Sequence, residues 1–150
     1  MRKLSKKVSK FGKKQVFLIN ADPYRQDICV VINGQFSDAE KMLTKFKSKA
    51  SEENLKHIRE ERDKDKTSYN YFHEIGAGKA QCYTELPYGY VIVVSHTDSW
   101  IETIDPVIHE CLHVTSHILR RAGIPLTSET EEAYTYLQAK MVKDILYKLY

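Results

Sequence analysis

The segment from Trp100 to Gly123 contains the pentapeptide His109-Glu-Cys-Leu-His113, a His-Glu-x-x-His pattern within an amphipathic stretch. Residues four apart lie on one face of an α-helix, about 6 Å from each other, so both imidazoles can bind one Zn²⁺. Glu110 follows the first histidine, so its carboxylate can act as general base on a metal-bound water without binding the metal. The pentapeptide alone is only moderately specific, and its surroundings must support it.

Residues on both sides of the motif predict that it lies in a helix. Asp105 is a favourable N-cap, Pro106 suits the first helical position, and Gly123 suits the C-terminal end. We therefore expect a helix from about residue 105 that holds both histidines rigidly against a core. Its buried stripe is predicted from apolar residues at intervals of three and four, namely Ile108, Cys111, Leu112, Thr115, Ile118, Leu119 and Ala122.

A catalytic zinc site needs a third protein ligand and an open position for water. The next predicted helix begins with three candidates, Glu129, Glu131 and Glu132. Ser128 and Glu131 match the Ser-x-x-Glu capping box, which gives Glu131 a structural role. The helix N-terminal dipole also favours acidic residues here, so the pattern leaves Glu129 and Glu132 open as the third ligand.

These residues resemble the gluzincin branch of the zincin metallopeptidases, and the layout is similar to that of small phage and bacterial zincin-like proteins. Eighteen residues separate His113 from Glu132, as in the aminopeptidase-type gluzincins. The segment from Glu132 to Tyr136 resembles their Asn-Glu-Gly-Phe-Ala-x-Tyr segment, with Glu131 in place of the Asn. The resemblance covers residues 88–146. It implies bound Zn²⁺, a peptide-bond hydrolase fold, the ligands His109, His113 and Glu132, and Glu110 as the base. The resemblance does not supply a substrate, and our expectation is a peptide or protein.

Three further side chains are candidates for a supporting role near the metal. His117 lies eight residues after His109, about 12 Å along a helix, so we expect it on the helix face or beside the ligands rather than on the ion. His96 follows the strand before the motif helix, and in the zincins that this chain resembles, such a strand borders a cleft where an extended substrate pairs by β-addition. Tyr136 could offer a phenol to an oxyanion, although packing is the default for any of ten tyrosines.

The remaining pattern predicts one α+β domain over residues 15–150. Residues 15–20 and 27–33 predict a hairpin of two strands, and residues 79–85 and 90–95 predict two more strands. Ser37 to Glu40 forms a capping box that predicts a helix to about residue 50. We expect a zincin-like fold in which a small, mostly antiparallel sheet packs against helices that include the motif helix.

Composition restricts the other function classes. The chain has 150 residues, of which 42% are hydrophobic and 29% charged, as is ordinary for one soluble domain. No apolar run approaches about 18 residues, and no apolar segment suited to secretion follows the basic start, so we expect a cytoplasmic protein without a membrane partner. Three widely spaced cysteines argue against a disulfide framework and against a thiolate zinc site.

Residues 1–14 carry seven Lys or Arg and no acidic residue, and we expect a flexible basic tail. Such a run can bind nucleic acid, but the net charge is only +3 and no RNA-binding pattern accompanies it, so nucleic acid is not the favoured partner. The sequence favours a zinc-dependent hydrolase of the metallopeptidase type. The alternatives are a non-catalytic zincin-fold binding or inhibitory protein and a nucleic-acid-binding protein that acts through the N-terminus.

Overall fold

The computed structural model describes residues 13–46, 80–86, 89–95 and 99–150. The predicted α+β class is confirmed. Most of the predicted basic tail and the predicted end of the first helix lie outside these residues. The described elements, in chain order, are β1 (Gln15–Asn20), β2 (Asp27–Ile32), α1 (Phe36–Phe46), β3 (Ala80–Leu86), β4 (Gly89–Val94), α2 (Trp100–Arg121) and α3 (Glu131–Leu149).

The four described strands form one sheet in the order β1-β2-β4-β3. β1 pairs antiparallel with β2 as the predicted hairpin, and β3 pairs antiparallel with β4. β2 and β4 run parallel, so the sheet is mixed rather than simply antiparallel. Both inner strands are nearly continuous apolar runs, because a strand covered on both faces cannot alternate with polar residues.

Helices cover both faces of this sheet. Alternate residues of β2 point to opposite sides, so Ile28 and Val30 join a core beneath α2 and α3, whereas Cys29 and Val31 pack with Phe36 of α1. α2 contacts β3, β4 and α3, and α3 also reaches β1. The larger core therefore lies between the sheet and the helix that carries the histidines.

α2 begins earlier than the sequence predicts. Its N-cap is Ser99, whose side chain accepts a hydrogen bond from the Glu102 amide at 3.4 Å, so the predicted start at Asp105 and Pro106 is wrong. Pro106 lies inside the helix. Burial of Thr103 favours the earlier start, and burial of Val107 anchors the helix just after the proline; this packing outweighs the one backbone hydrogen bond that the proline cannot donate.

The buried face of α2 is rotated relative to the predicted stripe. Cys111, Thr115, Ile118 and Leu119 are buried as predicted. Ile108, Leu112 and Ala122 are exposed, so their assignment to the core is wrong. Thr103, Val107 and Val114 are buried instead, and they turn the apolar face toward the sheet.

The predicted C-terminal end of α2 is confirmed. Gly123 has φ +77°, the left-handed conformation that favours glycine after a helix. Its amide donates to the Arg120 carbonyl at 3.0 Å, and the Ile124 amide donates to the Leu119 carbonyl at 2.9 Å. These two bonds form a Schellman motif, and Ile124 packs against the core that contains Leu119.

Two predicted capping boxes are replaced by neighbouring residues. α3 begins at Glu131 after Thr130, so the predicted pair of Ser128 and Glu131 is wrong. Thr130 Oγ1 instead accepts from the Thr127 amide at 2.9 Å, and Thr127 Oγ1 accepts from the Glu129 amide at 3.3 Å. Glu131 therefore does not have the capping role that the sequence predicts for it.

At the start of α1, the predicted box of Ser37 and Glu40 is likewise shifted. The helix begins at Phe36, and Asp38 Oδ2 accepts from the Gln35 amide at 2.9 Å. No helix in the described part of the chain is both long and apolar enough to cross a membrane.

Candidate metal centre

α2 directs the side chains of His109 and His113 to one point. Their Nε2 atoms lie 3.0 Å apart, and their rings meet edge to face with centroids 4.7 Å apart. Two nitrogens bound to the same tetrahedral Zn²⁺, each at about 2.0–2.1 Å, would lie about 3.3 Å apart. The pair therefore fits a single zinc ion with a small outward adjustment of the rings.

Both histidines lie on the solvent face of α2. Val107, Cys111 and Val114 are buried on the opposite side of the helix, so the imidazoles project away from the sheet. Because both rings are exposed, an ion that they bind would keep positions open for water and substrate. The rigid core behind Cys111 holds the helix that carries them.

Glu110 is half-buried and lies on the side of α2 that faces β3. On that strand, the thiol of Cys82 lies near enough to the Glu110 carboxylate for the carboxylate to affect its pKa. Burial raises the pKa of Cys82, and the neighbouring carboxylate raises it further. This neighbour could not be predicted from the sequence, because no spacing rule connects a cysteine in one strand to a glutamate in a distant helix.

The other two cysteines are buried and unreactive. Burial raises the pKa of Cys29 and that of Cys111 to about 12, so both thiols stay protonated near neutral pH. All three cysteines are free. The interpretation of Cys111 as a small buried apolar residue is confirmed by its full burial in the core.

The predicted third ligand is not assembled with the two histidines. Among residues 13–46, 80–86, 89–95 and 99–150, no three His, Cys, Asp or Glu side chains meet as a metal site. Glu129, Glu131 and Glu132 are all exposed at the start of α3. Tyr134 is buried and donates to the Ile124 carbonyl at 2.8 Å, which fixes the rotation of α3. Glu132 lies two residues before it, on the opposite side of the helix.

His117 lies against the sheet rather than beside the histidine pair. Its Nδ1 is 3.2 Å from the hydroxyl of Tyr90, and the two rings pack edge to face with centroids 5.6 Å apart. Burial raises the pKa of Tyr90, whereas the positive charge of Arg121 lowers it. His117 thus joins α2 to β4, in keeping with the expected position on the helix face.

The other supporting candidates are separated from the pair. Tyr136 is 80% exposed on α3. His96 lies outside the described residues. The strand before it, β4, is covered on both edges by β2 and β3, so the prediction that a substrate pairs along this strand is wrong. Among the strands that the structure describes, β3 lies at the edge beyond β4, and it packs against α2.

An apolar groove runs between α2 and α3 beside the histidine pair. Its volume is about 730 Å³, and it is lined by Ile108 of α2 and by side chains of α3 that include Val142, Leu146 and Tyr147. Gln138 crosses the groove floor and donates to the Ile108 carbonyl at 3.1 Å. Leu112 is 43% exposed and lies between Ile108 and His113 on the surface of α2. The apolar surface therefore continues from the groove to the histidines.

The chain was compared with protein-family models, with curated proteins and with solved structures, and none of the three comparisons found a match. The class of protein must therefore be inferred from the local chemistry of α2 and its neighbours.

Proposed function

We propose that the protein is a zinc-dependent hydrolase that cleaves peptide bonds, with His109 and His113 as metal ligands and Glu110 as general base. The observation that carries the proposal is the 3.0 Å approach of the two Nε2 atoms on an exposed helix face. The two converging imidazoles offer a metal-binding pair, and Glu110 is the next residue after the first of them, within one turn of helix.

The residues of α2 have separate roles in this reaction. Bound Zn²⁺ would supply Lewis acidity, which lowers the pKa of water and polarises the substrate carbonyl. Glu110 takes a proton from the attacking water and returns it to the leaving amine. His109 and His113 would each contribute an Nε2 lone pair to the ion.

We propose Glu132 as the third ligand, on the basis of its spacing from His113 in the family that the chain resembles. Because Glu132 is exposed and not grouped with the imidazoles, binding through it requires the first turn of α3 to shift toward α2. Glu132→Gln should then weaken zinc affinity by about 10- to 100-fold. Glu129→Gln and Glu131→Gln are the matched controls. An equal loss of zinc affinity in either control would contradict the assignment of Glu132 as the third ligand.

A peptide is the substrate that suits the surroundings of the histidine pair. β3 is the outermost of the described strands on its side of the sheet and packs against α2, so an extended chain is proposed to pair with its outer edge. On the other side, the groove at Ile108 offers an apolar surface for a bulky side chain. The proposed substrate is therefore an extended peptide with aliphatic or aromatic side chains near the cleaved bond.

The test uses zinc-loaded protein with a mixture of unstructured peptides, and cleavage is followed by mass spectrometry. Glu110→Gln should retain zinc and lose about 100- to 10,000-fold in turnover, because it can no longer accept the proton. Asp105→Asn is the control: it neutralises a different carboxylate of α2, one that is exposed, and this variant should behave as wild type. Zinc binding without hydrolysis by the wild type would favour a binding protein, and unchanged turnover in Glu110→Gln would contradict the assigned base.

A further inference from the structure

The apolar groove between α2 and α3 carries one charged side chain. Its lining residues are aliphatic, aromatic or uncharged polar, apart from Lys143. Lys143 is exposed, and its Nζ lies 5.8 Å from the centroid of the Tyr147 ring, which also lines the groove. The face of an aromatic ring attracts a cation, so Tyr147 favours a position of the ammonium beside the groove. A molecule bound in the groove therefore meets apolar surface and one positive charge.

Lys143 differs from its neighbour Lys140 in the groups around it. Lys140 Nζ donates to the Asp144 carboxylate at 2.8 Å, so its charge is already paired within α3. The other ion pair between side chains that the structure describes joins Lys14 to Asp38. Neither pair includes Lys143, and its ammonium can therefore pair with an anionic group of a ligand.

Gln138 sets the register between the two helices. Its side chain donates to the Ile108 carbonyl at 3.1 Å, so these two residues lie at the same level of the groove. Lys143 follows Gln138 by five residues, which is about 7–8 Å along α3. An extended peptide advances about 3.3 Å per residue, so two residues cover this distance. An acidic side chain two positions from one that packs on Ile108 therefore lies at the level of Lys143.

We propose that Lys143 is a specificity-determining residue that pairs with an Asp or Glu side chain of the substrate. This acid lies two positions from the apolar side chain that packs on Ile108, so the substrate class is an extended peptide with an apolar-x-acidic pattern in either chain direction. The inference rests on the proposed function, since Ile108 directly precedes the proposed ligand His109 and so places the groove beside the cleaved bond. Apolar burial supplies affinity, and the ion pair selects among apolar peptides.

Binding is tested without hydrolysis, on full-length protein treated with a chelator. Dye-labelled peptides have a central Phe, with Glu, Gln or Lys at the second position on both sides of it. An amidated C-terminus leaves the Glu side chains as the only carboxylates. Fluorescence anisotropy should show that the Glu peptide binds about fivefold more tightly than the Lys peptide, as expected for an exposed ion pair. This preference should shrink at high salt.

Charge reversal assigns the preference to one lysine. Lys143→Glu should reverse the order, so that the Lys peptide binds more tightly than the Glu peptide. Lys148→Glu is the matched control, because it makes the same charge change at an exposed position of α3 that lines a different pocket, beside Asp27. This control should keep the wild-type preference. Both lysines are exposed, so neither change disturbs the core.

Three results would overturn the proposal. They are equal binding of all three peptides by the wild type, an unchanged preference in Lys143→Glu, and an equal reversal in both variants.

Hydrolysis of the same peptides by zinc-loaded protein separates this inference from the proposed function. If the wild type cleaves the Glu and Lys peptides with equal kcat/KM, the role of Lys143 in specificity is wrong while the proposed function stands. If the wild type binds the peptides with the expected preference but cleaves none of them, the proposed hydrolase fails while the pairing with Lys143 stands.

Discussion

Asp38 connects the first turn of α1 to the residue before β1. Its carboxylate accepts from the Gln35 amide at 2.9 Å and from Lys14 Nζ at 2.8 Å. Burial would raise the pKa of Asp38, but the bonds from Lys14 and Gln35 favour the charged form and hold this pKa below its ordinary value. The carboxylate therefore stabilises the fold at neutral pH, and this contribution is lost as the pH falls through the lowered pKa.

Asp38→Asn should lower the free energy of unfolding at pH 7 by about 1 kcal/mol, as expected for losing a charged helix-start acceptor. The deficit should shrink in acid, where the wild-type carboxylate is protonated as well. Urea unfolding at neutral and acidic pH measures both effects. Lys14→Met removes only an exposed ion pair and should cost less. A pH-independent difference between wild type and Asp38→Asn would contradict this account.

At the scale of elements, the end of α2 depends on the left-handed conformation of Gly123. A Cβ at this position would meet no atom within 4 Å, so a substitution there introduces backbone strain without a steric clash. Gly123→Ala should therefore lower the free energy of unfolding by about 1 kcal/mol, measured by urea denaturation. Gly123→Asn is the control and should cost less, since asparagine tolerates this conformation better. Equal losses in both variants would argue against the backbone as the cause.

The elements differ in how far sequence reasoning could predict them. The bounds of β1 are those predicted, because a continuous apolar run ends at a turn that contains Pro23. The start of α2 was mispredicted because Pro106 suits a first helical position, whereas the Ser99 cap and the burial of Thr103 place the N-cap six residues earlier. Local patterns thus predicted where elements lie, and tertiary packing decided where they begin.

At the scale of the whole molecule, the site depends on contacts that no local sequence pattern predicts. The spacing of His109 and His113 is enough to predict their convergence, because both lie in one helix. The proximity of Glu110 to Cys82 requires the strand order that places β3 beside α2, and the parallel pairing of β2 with β4 creates that order. The position of Glu132 depends on the rotation of α3 about buried Tyr134 and Leu137, which the acidic pattern alone does not determine.

The groove between α2 and α3 gives the proposed hydrolase a side-chain preference. Ile108→Asp should raise KM for peptides with bulky apolar residues about tenfold, because it places a charge in the apolar lining, while zinc content and kcat stay near wild type. Ile101→Asp is the matched control, since Ile101 is exposed on the same helix and does not line the groove. Steady-state kinetics with apolar and polar peptides make the comparison. Equal effects of the two substitutions would exclude the groove as a binding surface.

The binding of a single metal ion by two side chains of α2 is the central claim, and calorimetric titration of zinc into chelator-treated protein tests it most directly. The wild type should bind one Zn²⁺ per chain. His109→Ala and His113→Ala should each lose this binding, because either change removes one of the two converging nitrogens. His117→Ala, which alters a histidine that contacts Tyr90 instead, should retain it. Wild-type zinc affinity in both His109→Ala and His113→Ala would contradict the account.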